Sequence, residues 1–300
     1  MNILPKINMT FTSYNSAKKY AIMLTYNHIP DTQTLSYITE SVDMLLLVDN
    51  NSRNDVQREI KRICNNMKKC TLICNSVNLG ISKAYNVAAE IAQRDGAEFI
   101  IFFDHDAVIS SNLFDEYSRA AMTLCDRLYP IGIIVPIVSD DKELLNKKIF
   151  ARKEYTIVSY PINSGMLVSM KTFKEIGGYE ELFFVELADF YFSARVRKNG
   201  YKIVRINKVL IVQEFEKKLD HTDILTAFFD RVIRLRSIVR VGISNSNIFR
   251  TRLSLYSKNR EQELSASLNI AQLKLPTDRK FLTIVKFLNF IEKIITDLLS

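Results

Sequence analysis

The sequence predicts an α/β fold: a mixed, mainly parallel sheet flanked by helices, with a helical extension at the C-terminus. Three observations predict it. Short apolar runs alternate with segments of helical period through the first third of the chain. Each apolar run ends in polar residues: Thr25-Tyr26-Asn27, Asp49-Asn50-Asn51, Asn75 to Gly80, and Asp104-His105-Asp106. Beyond about residue 220 the pattern turns helical and basic. Ligands of open α/β sheets bind outside the carboxyl ends of the strands, so the repeated polar ends mark a site.

The elements follow in order. Ala21 to Tyr26 is a short apolar strand, and Pro30 to Glu40 a helix. Met44 to Val48 is a second strand. Asp55 to Met67 is helical, with Val56, Ile60 and Ile63 on one face. Cys70 to Cys74 is a third strand, and Ser82 to Arg94 a helix carrying Tyr85, Ala88, Ala89 and Ala92 at helical spacing. The run Glu98 to Phe103 is a buried strand. Ser111 to Arg127 is a helix and Gly132 to Val138 a strand. Asp140 to Glu154 is a charged excursion, and Pro161 to Ser169 a loop entering a strand. Lys171 to Ile176 is a short helix stopped by Gly177-Gly178. Ala188 to Lys198 is a helix with Gly200 as its stop, and Tyr201 to Ile206 a last strand.

Composition narrows the class. The 300 residues can hold one large α/β domain with an appendage, or two small domains, and the 47% apolar fraction is ample for a core. The formal charge of +8 points to anionic partners: a nucleotide, a membrane surface or nucleic acid. Cys64, Cys70, Cys74 and Cys125 lack zinc-type pairing and are expected as reduced thiols of a cytosolic protein. Residues 1–20 lack the apolar core of a signal peptide, and no apolar run reaches membrane-spanning length. A soluble or surface-bound chain is expected.

Asp104-His105-Asp106 concentrates the chemistry. In an extended chain its two carboxylates point the same way and His105 points away. Two acids that close repel unless a positive group lies between them. A hard divalent cation with oxygen ligands, shared with a substrate's phosphates, fits that need.

Six stretches in order resemble the family 2 glycosyltransferases, inverting enzymes of the GT-A fold, and within them the rhamnosyltransferase-like branch. They are Leu24 to Asn27, Leu47 to Ser52, Asn78 to Asn86, Phe103 to Asp106, Asn163-Ser164-Gly165, and Glu186 to Asp189 with Arg195 following. The resemblance implies a Rossmann-like nucleotide-diphospho-sugar transferase domain over residues 1–220. Its nucleotide-sugar half spans about residues 20–106 and its acceptor half 107–220, with a basic helical extension at 221–300. It implies that Thr25, Tyr26, Asn27, Asp49, Asn78, Gly80 and Asp104 surround the nucleotide. It places a Mg or Mn cation on Asp106 and Asp104, and the acceptor near Asn163, Ser164, Gly165, Glu186 and Arg195. Asp189, six residues before Arg195, is the implied catalytic base, with Glu186 as runner-up. Where some relatives supply a further metal ligand after the last strand, this chain has Gln213, with His221 further on.

The implied reaction moves a sugar, rhamnose by the branch, from a dTDP- or UDP-linked donor to a saccharide or lipid-linked acceptor with inversion. The implied setting is cell-surface polysaccharide assembly, O antigen or capsule, in the cytoplasm at the inner face of the plasma membrane. Near the C-terminus Phe281, Ile284, Val285, Leu288, Ile291, Ile295 and Leu298 form an apolar stripe flanked by Lys280, Lys286 and Lys293. Such a helix can lie in a membrane interface or pack in a dimer. Two other readings stay open: a nucleotidyltransferase, and a non-enzymatic protein that binds anionic lipid or nucleic acid. The first lacks a Gly-rich, Lys/Arg-containing loop after the first strand. No nucleic-acid partner is expected, because the polar residues gather at strand ends and not on the basic face.

Overall fold

A computed structural model of the chain describes residues 11–124, 129–146, 152–181, 183–185 and 188–213. The chain divides into two compact units. One comprises Met1–Phe184 with Ala188–Lys217, and the other Val185–Leu187 with Lys218–Ser300. The expected extension at 221–300, with His221, and the runner-up base Glu186 lie outside the described residues. No described helix is long and apolar enough to cross a membrane.

The elements of the first unit are β1 (Lys19–Thr25), α1 (Thr32–Ser41), β2 (Met44–Asp49), α2 (Asn54–Asn65), β3 (Cys70–Cys74), α3 (Gly80–Arg94), β4 (Phe99–Asp104) and β5 (Val108–Ile109). Then follow α4 (Leu113–Leu124), β6 (Ile131–Ser139), a 3₁₀ turn (Lys142–Asn146), β7 (Tyr155–Val158), β8 (Met166–Ser169), α5 (Met170–Ile176), α6 (Ala188–Lys198) and β9 (Lys202–Val212). Asp31 starts α1 by accepting a hydrogen bond from the Thr34 N–H at 2.7 Å, a cap worth about 0.5–2 kcal/mol. Ser169 does the same for α5, and Gly177 ends that helix at φ 81°, a left-handed conformation that costs glycine nothing.

The strands form one sheet in the order β3-β2-β1-β4-β8-β6-β9-β5, with β7 on β9. The β3-β2-β1-β4 half is wholly parallel. Its central strands read as near-continuous apolar runs because helices cover both faces. Ala21, Ile22, Met23, Leu45, Leu47, Ile100, Ile101, Phe102 and Phe103 are completely buried. Register fixes the site. Thr25 pairs with Asp49, Asp49 with Cys74, and Leu24 with Asp104, so the polar strand ends stand level along one rim. β8 then runs antiparallel to β4, with Phe102 opposite Met166. That reversal brings the Asn163-Ser164-Gly165 loop to the same rim.

Several expectations are corrected. Cys64 and Cys70 are not reduced thiols but a disulfide, because the turn from α2 into β3 brings their Cα atoms to 5.5 Å, within the range a disulfide spans. Cys74 is free and exposed, and Cys125 lies outside the described residues. β7 directly follows the stretch expected as a charged excursion, where no element was expected, and pairs with β9 through Tyr155 to Val158. β9 runs six residues past the expected end at Ile206, and Val108–Ile109 pair with its last two residues.

Candidate functional site

The rim is built from loops that hydrogen-bond one another. Asn27, at φ 52°, receives the Arg53 N–H on its side-chain oxygen at 2.9 Å and donates its own N–H to Ser52 Oγ at 2.7 Å. The β1 and β2 ends are thereby stapled together. The Thr25 hydroxyl is buried and donates to the His28 carbonyl. Asp49 is fully buried, and its carboxylate accepts from the Ser52 N–H and from Gln57 Nε2 at 2.7 Å. That carboxylate shapes its own loop. Tyr26 stands half-exposed at the end of β1.

Asn50 joins the end of β2 to the loop between β3 and α3, a role the sequence did not reveal. Its amide nitrogen donates to Asn78 Oδ1 at 2.7 Å, and its oxygen accepts from Asn75 Nδ2 and the Leu79 N–H. The turn Asn78-Leu79-Gly80 is fixed by these bonds and by the Gly80 N–H donating to Asn78 Oδ1. Gly80 is needed here for a reason other than ligand approach. It sits at φ +75°, and a Cβ there would lie 2.5 Å from the Phe184 carbonyl oxygen. The Ile81 N–H donates to that same oxygen at 2.5 Å. Asn86, one helical turn on, donates to the Tyr179 carbonyl and accepts from the Tyr179 N–H. Tyr179 and Phe184 are thus moored to α3.

The acidic pair straddles a strand end: Asp104 is the last residue of β4 and Asp106 lies in the turn that follows. The Ala107 N–H donates back to the Asp104 carbonyl. The turn keeps the carboxylates close enough that Asp106 acts on Asp104. Burial first, and then the Asp106 charge, push the Asp104 carboxyl from 3.8 up to about 6. Hydrogen bonds from Tyr85 and Gln213 oppose that rise. The turn also changes the outlook of His105. Its half-buried ring hydrogen-bonds the Leu24 carbonyl and packs on His28 with centroids 4.4 Å apart. Burial lowers the His105 pKa against the pull of Asp106.

In the loop before β8, Asn163 accepts the Tyr179 hydroxyl at 2.7 Å. The Gly165 N–H donates to the Phe102 carbonyl at 2.8 Å, and the Gly165 carbonyl accepts from Tyr117. The Ser164 hydroxyl is completely buried with no hydrogen-bond partner among the described residues. Asp189 opens α6, with its Oδ1 accepting the Phe190 N–H at 2.6 Å. The charges of Asp104 and Asp189 both act on the buried phenols of Tyr85 and Tyr179. The two carboxylates therefore lie near the same aromatic pair. The Arg195 guanidinium donates to the Ile176 and Gly178 carbonyls and holds the end of α5.

Among the described residues no cluster of three His, Cys, Asp or Glu could hold a metal ion. Amide oxygens enlarge the donor set. Gln213 bonds Asp104 through its N–H, and its Oε1 is buried without a partner among the described residues.

The chain resembles known proteins in sequence and in fold. Over 214 residues the chain is 28% identical to the dTDP-rhamnosyl transferase RfbF of Shigella flexneri, covering 66% of this chain and 70% of that protein. A mannosyltransferase of Pyrobaculum calidifontis, solved with GDP-Man and Mn2+, superposes with TM-score 0.54 at 18% identity over 74% of this chain and 62% of that one. GalNAc-T7, solved with UDP, GalNAc and Mn2+, gives 0.53 at 13% identity over 67% of this chain and 44% of that one. S. aureus TarS 1-349, in complex with UDP, gives 0.51 at 14% identity over 85% of this chain and 76% of that one. The chain thus spans less than two thirds of the first two of these structures. They share its GT-A fold. The family model for glycosyl transferase family 2 matches residues 21–177, more than half of the chain, and the chain belongs to that family.

Proposed function

We propose that the protein is a metal-dependent, inverting glycosyltransferase. It transfers a rhamnosyl-type sugar from a dTDP- or UDP-linked donor to a saccharide or lipid-linked acceptor in cell-surface polysaccharide assembly. Family membership supports glycosyl transfer and sets aside the nucleotidyltransferase and lipid- or nucleic-acid-binding readings. Likeness to the Shigella dTDP-rhamnosyl transferase supports the sugar and nucleotide. The observation that carries the reading is the level rim of polar strand ends, with Asp49 beside Thr25 and Asp104 beside Leu24, and Asp106 in the turn after Asp104.

The nucleoside is assigned to the rim formed by Thr25, Tyr26, Asn27 and Asp49, with Asn78 and Gly80 shaping the adjoining turn. Asp49 contributes by holding the loop's form. The donor set beside β4 is all oxygen, which suits Mg or Mn. Asp106 and Asp104 would hold the ion, with Gln213 Oε1, which has no partner among the described residues, beside Asp104. Bound there, it would offset the charge that builds on the leaving diphosphate.

Asp189 takes the proton of the acceptor hydroxyl. That oxygen bonds to the anomeric carbon from the side opposite the diphosphate, whose own bond to the carbon breaks with the electron pair leaving on oxygen. Asn163, Ser164 and Gly165 line the acceptor's approach, and Glu186 assists it. Arg195 acts on this side only by fixing α5.

The direct test is thermal unfolding of the full chain with dTDP- and UDP-sugars, with and without Mg2+ or Mn2+. A true donor at about 100 times its Kd adds about 2.7 kcal/mol of stability. Stabilisation by a dTDP-sugar only with the cation present is the expected result. If no sugar nucleotide shifts the transition with either cation, the reading is wrong.

A further inference from the structure

We infer that Tyr85 is a positioning residue whose hydroxyl sets the orientation of the Asp104 carboxylate. The inference rests on the reading above that Asp104 faces the cation.

Tyr85 stands on α3 and is completely buried. Its ring packs edge-on against Phe102, with centroids 4.8 Å apart, and lies 5.5 Å from Tyr179. Among these aromatic rings a phenylalanine would fill the same space. Burying a hydroxyl costs free energy unless it is bonded, so the oxygen needs an explanation that the packing does not give. Its acceptors supply one. The Tyr85 hydroxyl lies 3.2 Å from the Phe103 carbonyl and 3.3 Å from Asp104 Oδ1. One proton is shared between main chain and side chain at the last two residues of β4. That geometry ties the carboxylate to the strand that carries it. Gln213 donates to the same carboxylate. With two donors Asp104 cannot turn freely, and the oxygen they leave open is set.

The structure contains its own control. Tyr179 belongs to the same cluster and is equally buried, 4.6 Å from Phe192 and 5.3 Å from Phe102. Its hydroxyl goes to Asn163 Oδ1 and not to Asp104. Removing either hydroxyl perturbs the same core. Only the Tyr85 change takes a donor away from Asp104.

The experiment is Mn2+ titration of the full chain, followed by electron paramagnetic resonance of the free ion, for the wild type, Tyr85→Phe, Tyr179→Phe and Asp106→Ala. Partners that orient a metal's ligands typically contribute about 10- to 100-fold to affinity. Tyr85→Phe should weaken Mn2+ binding about tenfold or more, with its melting temperature close to that of Tyr179→Phe. Tyr179→Phe should bind Mn2+ as the wild type does. If Asp106→Ala loses Mn2+ while Tyr85→Phe keeps wild-type affinity, the metal reading survives and this inference fails. Equal losses in the two Tyr→Phe proteins, or failure of Tyr85→Phe alone to fold, assign the hydroxyl to the core and overturn it. If the wild type binds no Mn2+, the metal reading falls and the inference with it.

Discussion

Asp104 works against the stability of the fold that holds it. Its carboxyl is raised from 3.8 to about 6, so the folded state holds that proton more tightly than the unfolded chain does. The sign follows: there is no penalty below pH 4, a growing one from 4 to 6, and the full penalty above 6. A two-unit shift corresponds to about 3 kcal/mol. Asp104→Asn should therefore melt several degrees above the wild type at neutral pH in the absence of divalent cation, and no higher near pH 3.5. Thermal unfolding across pH checks it, and an equal gain at both pH values refutes it. Asp189→Asn makes a different demand. It should keep the fold and donor affinity while transfer falls about 10²- to 10⁴-fold, the usual loss when a general base is removed. Glu186→Gln is its comparison. If Glu186→Gln is the inactive protein and Asp189→Asn is nearly normal, the base lies three residues upstream. The sequence exposed these acids because carboxylates at strand ends are conspicuous. Tyr85 and Asn50 stayed hidden for an equally physical reason. An aromatic on the buried face of a helix, or an Asn beside an Asp in a turn, reads as core or as turn until its partners are seen.

Element boundaries show where sequence pattern reaches its limit. β2, β3, α3 and β4 were legible because apolar runs and helical period mark elements that are buried on the side facing the sheet. β5 and β7 were not. Each is short and partly exposed, and each exists only because β9 offers an edge to pair with. The Cys64–Cys70 bond depended likewise on the tightness of the turn between α2 and β3, which composition does not encode. The α3 start carries a prediction of its own. Gly80 needs a left-handed backbone and touches the Phe184 main chain. Gly80→Ala should destabilise by more than the roughly 1 kcal/mol that relieving strain at φ > 0 usually involves, since a backbone atom must also move. Urea unfolding would register the loss. A change below about 0.5 kcal/mol, the range of an ordinary surface substitution, would mean that Phe184 is not held against α3.

At the scale of the whole molecule, the C-terminal stripe from Phe281 to Leu298 with its flanking lysines is a proposed membrane contact. It lies outside the described residues. Removing residues 276–300 should leave donor-induced stabilisation intact and lower co-sedimentation with anionic vesicles. An unchanged vesicle-bound fraction would favour packing within the protein. The sheet has a further consequence, for the time at which the chain is made. β4 lies between β1, already synthesised, and β8, whose first residue follows Asp104 by 62 positions (166 − 104). At about 5–20 residues per second that gap lasts roughly 3–12 s. Throughout it, Phe99-Ile100-Ile101-Phe102-Phe103 presents one unpaired edge with no charge and no proline to discourage a neighbour. A ribosome paused within that interval would display a strand suited to pairing with its copy on the next nascent chain. The newborn enzyme's yield should then depend on how quickly residues 105–169 emerge.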